Sequence, residues 1–386
     1  MRKVSIIGGD EIRWGVLKER TFPDMISEAG SKAISDSGIE KKAIQAIYVG
    51  NFGAPAFVGQ NTVGSLVATT LGLPNVPAFR IEAACSSGAI AFREAYIAVA
   101  AGIYDFVLVL GIEKMNTKES SEVIQLIAQG TYAPETAMGL NAPAMFAMYA
   151  QAHMKKYGTT KEQLAHVSAK SYYHGSLNPH AHMQKPFSVR EVLEAPIIAS
   201  PLGRHDCSLV TDGAAAVVIC PLELAKRYNP KPIEVVASAI AAETFKVSQR
   251  ESFTSFGCTK RAVTQAFAIS GMAHKDISFV ECHDCFSITE ILNMEDLGFF
   301  QPGDAAPAVV EGRTRIGGQI PFNVSGGLKS KGHAIGATGV GQIVEVVYQL
   351  RGLAGPRQVK NAETALTHML GGTPSVCTIH IFKKGF

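Results

Sequence analysis

The sequence predicts an α/β protein made of two duplicated halves, with a helical lobe inserted between them. Three observations predict it. Helix–glycine–strand units recur in the same order in the first and last thirds of the chain. Residues 116–205 abandon that rhythm for a stretch rich in Ala, Met, His and Tyr. With 386 residues, 47% hydrophobic and only 18% charged, the chain can bury a large core divided into two or three units. The expected boundaries are an N-terminal half of residues 1–115 with 206–232, a lobe at 116–205 and a C-terminal half at 233–386.

The elements follow in order. Met1-Arg2-Lys3 leads straight into a short strand, which is not the layout of a signal peptide. Ala33 to Gly50 reads as a helix end, a stop at Gly38 and a strand; Ala266 to His283 repeats it, with Gly271 as the stop. Cys85-x-x-Gly88-Ala89 precedes a helix whose Phe92, Ala95, Tyr96, Val99 and Ala100 fall at helical spacing before Gly102. His333-x-x-Gly336-Ala337 precedes another. Asp105–Gly111 and Ala365–Gly371 are both strands ending in glycine. Any α/β chain repeats such units, but three matches in one order indicate duplication. In the lobe, Ala142–Lys156 and Lys161–Tyr173 read as helices and 174–190 as loop, with Asn178-Pro179 and Lys185-Pro186. Asp206–Cys220 returns to a glycine and a β-branched strand. Further on, Ile277–Val280 reads as a strand and Ile288–Leu297 as a helix.

Charge and cysteine usage exclude several classes. A net charge of +3 is too weak to make nucleic acid or an anionic membrane the main partner. No apolar run is long enough to span a bilayer. Seven cysteines, an odd number without a secretory signal, point to reduced thiols in a cytoplasm.

Cys85 stands where a strand turns into a helix. A helix N-terminus favours thiolate over thiol and is expected to lower this cysteine's pKa. The same N–H groups can steady a developing oxyanion. Taken alone, such a thiol is a small buried hydrophobe in most proteins. The duplication changes that balance, because it puts Cys85 and His333 at equivalent helix starts facing a shared centre. A thiol that must ionise needs a base, and histidine is the usual one. Gly326-Gly327 and Gly332 imply a tight backbone approach before His333.

Two further clusters lie at strand ends, where α/β sites gather. Glu281-Cys282-His283-Asp284-Cys285-Phe286-Ser287 offers Cys-x-x-Cys with a histidine. That spacing invites zinc, but a structural site needs a second ligand pair and no other Cys-x-x-Cys exists. Cysteine plus histidine serving proton transfer fits better. Thr367-His368-Met369-Leu370-Gly371-Gly372 is a strand-to-turn switch. A backbone N–H there, near Leu370, is a candidate oxyanion donor; His368 reads equally as a strand histidine bonded to backbone.

Together these blocks resemble the thiolase family over essentially the whole chain. Cys85 within Ala83-Ala84-Cys85-Ser86-Ser87-Gly88 is similar to that family's nucleophile. The block from Asn323 through Ser325-Gly326-Gly327, Lys329, Lys331-Gly332-His333 and Ile335-Gly336-Ala337-Thr338-Gly339 is similar to its activating-histidine block. Gly111-Ile112-Glu113-Lys114-Met115 and Asp206 to Ala216 also look familial. The resemblance implies a thiolase-like fold of two βαβαβαββ-type halves in α-β-α-β-α layers. Many thiolases carry a second cysteine in a C-terminal Cys-x-Gly, where this chain has His368-Met369-Leu370. His283-Asp284-Cys285-Phe286 instead resembles the sterol-carrier-protein and archaeal types, which implies that Cys285 is the acid/base. Those relatives usually have Asn after the C-terminal His and Pro after the block's His, where Met369 and Ala334 stand here.

The implied activity is thiolytic cleavage of a 3-oxoacyl-CoA, or the reverse Claisen condensation. It uses coenzyme A as co-substrate, no tightly bound cofactor and no metal. Cys85 is the expected nucleophile and His333 its activator, which also joins His283 in holding an enolate oxygen. Met138, Met145, Met148 and Met154 in the lobe would suit a bulky or aromatic acyl group, though they read more readily as helix core. A homodimer or dimer of dimers is expected, with a small zinc-ribbon OB-fold protein as a possible partner. The alternatives are a decarboxylating ketosynthase, which would have no use for Cys285, and an acyl-transferring or scaffold subunit of a complex.

Overall fold

The computed structural model describes residues 1–386, the side chain of Ser120 excepted. Its strands are β1 (Val4–Glu11), β2 (Ala46–Gly50), β3 (Ala78–Ile81), β4 (Val107–Glu113), β5 (Ile197–Ala199), β6 (Leu202–Gly203), β7 (Gly213–Pro221), β8 (Ile233–Ala242), β9 (Phe279–Cys282), β10 (Thr364–Gly371) and β11 (Val376–Lys384). Nine of them form one sheet in the order β3-β2-β4-β7-β1-β8-β11-β10-β9, while β5 and β6 pair separately. The duplication is visible in that order. Outward from β1, the partners are β7 (antiparallel), β4 (antiparallel) and β2 (parallel). Outward from β8 they are β11, β10 and β9, with the same three senses. The halves meet where β1 pairs antiparallel with β8, Ser5 opposite Glu234.

Alternating side chains explain the layers, because successive strand residues face opposite sides of a sheet. In β4 and β7, Val107, Val109, Ala215, Val217 and Ile219 face a central core. That core holds Phe92, Ala95 and Val99 of the helix Ser87–Ala100, and Val340, Ile343 and Val347 of the helix Thr338–Arg351. The intervening Leu108, Leu110, Ile112, Ala216 and Val218 face Met25, Ile26, Ala29 and Ala33 of an outer helix, Phe22–Ser37. On the other half, Ile233, Val235, Ala365 and Phe382 join the central core. The alternates Leu366, Ile379 and Ile381, with Ala237 and Ala239 turned to the same side by the register shift after Val235, pack on Ala262 and Ala266 of a second outer helix, Gly257–Ser270. Three helix layers therefore alternate with two sheet halves.

The two long lobe helices are Ala142–Tyr157 and Lys161–Ser176, the second running three residues past the sequence expectation, and three shorter ones, Ser120–Ala128, Ala133–Ala137 and Val189–Glu194, accompany them. The lobe packs on the C-terminal half through Met145, Phe146, Tyr149 and Leu164. Its methionines do not share one environment: Met145 is core, whereas Met138 is 80% exposed and Met148 38% exposed. The strand expected at Ile277–Val280 is β9, Phe279–Cys282. Parallel pairing with β10, His368 opposite Cys282, fixes that end, which local periodicity cannot see. No helix is long and apolar enough to cross a membrane among the described residues.

Candidate active site

The two central helices meet start to start. A Cβ on Gly88 would lie 2.7 Å from the Gly336 carbonyl oxygen, and one on Gly339 would lie 2.5 Å from the Ala89 nitrogen. No side chain fits at either place, which is why both blocks carry glycine there. The close approach brings Cys85 and His333 together from opposite halves of the chain. Cys85 follows β3 in a single 3₁₀ turn, Ala84–Ser86, just ahead of its helix. Ala84 holds a left-handed φ of 49°, a strained conformation for a residue with a Cβ. Hydrogen bonds hold the turn: Ala84 N–H to Glu82 Oε1 (2.7 Å), Ser87 Oγ to the Ala84 carbonyl (2.5 Å) and Ser86 Oγ with Thr378 Oγ1 (2.8 Å). Ser86 N–H is taken by the Ala83 carbonyl, while the Cys85 N–H faces its own sulfur.

His333 Nε2 lies 3.2 Å from Cys85 Sγ. Its tautomer follows from Thr338. That hydroxyl donates its one proton to the Ala334 carbonyl at 3.1 Å, so at 2.8 Å it accepts from His333 Nδ1–H. The Nε2 lone pair then points at the thiol as a base. Burial pushes the Cys85 thiol up to about 12, with the Glu113 and Glu82 carboxylates adding to it, and burial pushes His333 down to about 3. The expectation of a lowered thiol pKa is therefore corrected. Desolvation outweighs the helix end, and the resting pair is a neutral thiol on a neutral imidazole.

His283 completes the cluster. The ligating atoms of Cys85, His283 and His333 all lie within 4.8 Å of one another, and the two rings meet edge to face at 5.5 Å. His283 is 3% exposed, yet its ring makes no protein hydrogen bond among the described residues, and its Nδ1 is an orphaned buried atom. Burial holds it well below the ordinary histidine range, and the neighbouring Lys329 and any proton on His333 or His368 push the same way. Its backbone is fixed instead. His283 N–H donates to the His368 carbonyl (2.9 Å), and Asn293 Nδ2 donates to the His283 carbonyl (2.6 Å). Asp284 anchors the next residue, accepting from Lys329 Nζ (2.6 Å) and Leu328 N–H (2.7 Å). Lys329 also reaches Glu290, which is paired with Lys170, so a buried ion network lies behind the loop.

Cys285 starts the turn into the helix Ser287–Asp296, its sulfur 3.7 Å from Thr289 Oγ1. Burial raises its pKa well above the ordinary range, and ionisation of Cys85 would raise it further. Cys282 points elsewhere, its sulfur accepting from Asn323 Nδ2 at 3.5 Å. His368 and Leu370 lie on β10. The His368 ring faces Thr259 Oγ1 at 3.0 Å and does not join the Cys85 cluster. Gly371 packs on the Cys85 turn, where a Cβ would lie 2.4 Å from the Ala83 carbonyl. Beside that turn opens a cavity of about 550 Å³, lined by Phe52, Phe57, Ala83, Ala84, Leu126 and Gly371. Cys85 packs on the apolar cluster of Phe57, Met115, Val123 and Ile335 that flanks it.

Sequence reasoning missed the residues that aim these groups. Thr338 is five positions after His333, a spacing with no periodic signature. Glu113 at the end of β4 accepts from Phe52, Gly53 and Gly336 N–H at 2.8–3.0 Å, tying the histidine block to the Cys85 half. Burial pushes it up to about 7. The motif Gly111–Met115 contained it, but nothing local shows what it holds.

Residues 6–223 match the family described as "Thiolase, N-terminal domain" and residues 239–384 the one described as "Thiolase C-terminal domain-like". An acetyl-CoA acetyltransferase of Methanothermobacter thermautotrophicus is 43% identical over 385 residues, covering 100% of both chains. Sterol carrier protein 2 of Gallus gallus is 32% identical over 406 residues, covering 100% of this chain and 72% of that protein. A solved structure described as an Ltp2-ChsH2(DUF35) aldolase superposes with a TM-score of 0.86 at 24% identity, covering 99% of this chain and 98% of the other. Both halves of the chain and the line joining them are thus accounted for by one family, and the chain belongs to the thiolases.

Proposed function

We propose that this thiolase transfers an acyl group through Cys85, cleaving a 3-oxoacyl-CoA with coenzyme A or running the reverse condensation. The observation that carries the reading is the His333 Nε2 lone pair 3.2 Å from the Cys85 sulfur. His333 takes the thiol proton as sulfur attacks the keto carbon. A neutral pair suits this order, because no thiolate is held before substrate arrives. Cleavage leaves acyl-Cys85 and a thioester enolate. His283, whose ring lacks a protein partner, and the newly protonated His333 hold the enolate oxygen. Cys285 protonates the enolate carbon, then takes the proton of free CoA as its sulfur collects the acyl group. The Cys85 N–H, with a second donor near Leu370, holds the tetrahedral oxyanion. The cavity beside Ala83 and Ala84 takes the acyl chain, which favours chains larger than acetyl.

Coenzyme A is the co-substrate, and thiolase chemistry calls for no tightly bound cofactor. The decarboxylating alternative is not favoured, since the close relatives are acetyl-CoA acetyltransferases. The two-half division stated above, a homodimeric assembly with β3 at the exposed sheet edge, and a zinc-ribbon OB-fold partner belong to the same proposal. So does the cytoplasmic setting, which rests on the odd count of seven cysteines. The test is intact-protein mass after incubation with acetyl-CoA and with longer 3-oxoacyl-CoAs. An acyl adduct lost in Cys85→Ala is expected; an adduct that persists in that variant overturns the assignment.

A further inference from the structure

We propose that Cys85, His283 and His333 also form a reversible inhibitory site for a thiol-seeking divalent cation of the zinc type. Binding of the ion rests on geometry alone; the inhibition rests in addition on Cys85 being the acyl carrier proposed above. Four-coordinate zinc has a bond of about 2.3 Å to sulfur and about 2.0–2.1 Å to imidazole nitrogen. Tetrahedral angles then put ligand atoms about 3.6 Å apart for sulfur–nitrogen and about 3.4 Å for nitrogen–nitrogen, on those bond lengths. Here Cys85 Sγ and His333 Nε2 are 3.2 Å apart, and no pair in the trio exceeds 4.8 Å. The required spacings fall inside that bracket, so side-chain shifts of about an ångström close the site.

Three further features favour a metal. His333 already presents Nε2 inward while Nδ1–H is held by Thr338 Oγ1 at 2.8 Å, the outer hydrogen bond that metal-bound histidines use. His283 is a buried imidazole with no protein hydrogen bond among the described residues, so binding an ion breaks nothing there. Three protein ligands leave a fourth position open for water or an incoming thiol. Among the described residues this trio is the one group of three such side chains gathered at ligand spacing. The Cys282-x-x-Cys285 pair is not part of it, because Cys282 turns to Asn323.

Binding is a proton-for-metal exchange without redox. The Cys85 S–H bond breaks, its proton leaves to solvent, and the thiolate bonds the dication beside two neutral imidazoles. The ion occupies the nucleophile, so inhibition is competitive with acyl-CoA and relieved by a chelator.

The test is titration of the full, reduced, metal-free protein with Co²⁺, read by absorbance and by proton release in weak buffer. The expected result is one ion per chain, thiolate-to-cobalt charge transfer in the near ultraviolet, four-coordinate visible bands, and one proton released. Zn²⁺ is expected to displace the cobalt. Thr338→Val is expected to weaken binding about 10- to 100-fold. Wild-type protein alkylated at Cys85 is expected to show no charge-transfer band, a control that needs no variant to fold. Absence of the band in the unmodified protein overturns the proposal. So does a band that survives alkylation of Cys85 or disappears in Cys282→Ser. Acyl transfer to Cys85, read by mass on metal-free protein, fails or succeeds separately.

Discussion

Replacing Thr338 with valine tests whether the histidine's orientation sets the rate. The hydroxyl accepts from His333 Nδ1–H at 2.8 Å and donates to the Ala334 carbonyl at 3.1 Å. Valine preserves shape and removes both bonds. The buried Nδ1–H is then orphaned, a cost of about 1–3 kcal/mol that weighs most in the transition state, where His333 takes the thiol proton and becomes cationic. The other tautomer, with its proton on Nε2, turns a donor toward the thiol and cannot deprotonate it. Acylation of Cys85 is expected to slow about 5- to 150-fold, the kinetic equivalent of that range. Thr338→Ser keeps the hydroxyl and is expected to stay within a few-fold of wild type. The assay is rapid-quench mass spectrometry of acyl-Cys85 formation, with circular dichroism to show that each variant is folded. A folded Thr338→Val that acylates at the wild-type rate refutes the reasoning.

Three further outcomes follow from the geometry. Cys285→Ala is expected to leave Cys85 acylation measurable while lowering full turnover about 100-fold or more, the usual worth of a positioned acid/base; equal turnover would remove Cys285 from the reaction. Gly88→Ala places a Cβ 2.7 Å from the Gly336 carbonyl oxygen. Overpacking of about 1–3 kcal/mol outweighs the helix preference of alanine, about 0.5–1 kcal/mol, so thermal melting should fall together with turnover; an unchanged melt contradicts the close-approach argument. Stability should also fall steeply in acid. His174, His333, His368 and His380 are held down to about 3 by burial, against 6.5 for the free side chain. Between those values the unfolded chain binds protons that the native one refuses, so stability drops as pH falls. Glu113, Glu281 and Asp296 are pushed up to about 7, 8 and 6, and oppose this only above about the free carboxyl value, where the native state holds the extra proton. Urea melts at pH 6, 5 and 4 should show the steepest loss at the lowest step, and a flat profile would refute it.

How much of this was legible in the sequence depends on the range of the interaction. Gly38 and Gly271 each close a helix in the left-handed conformation, as their positions between helix and strand foretold. The duplicated order also survived intact, because the apolar alternation of β4 and β7 is local and period two. The pairing of Cys85 with His333 followed from the duplication, since equivalent elements that lie beside a pseudo-twofold axis meet there, as these two central helices do. The end of β9 did not follow, because its register is set by β10, more than eighty residues away.

By itself, the sequence determined the α/β class, the doubled half with its inserted lobe, and the cysteines and histidines to which the chemistry is assigned by proposal. Those properties are written in periodicity, glycine placement and motif. The tertiary structure decided protonation and aim. A helix start argues for a thiolate, yet burial leaves Cys85 as a thiol pushed up to about 12. Thr338 chooses the His333 tautomer, and the His283 ring is left without a partner. Desolvation and hydrogen-bond partnership depend on what surrounds a group in space, and residues 85, 283 and 333 acquire common surroundings only when the two halves close on each other.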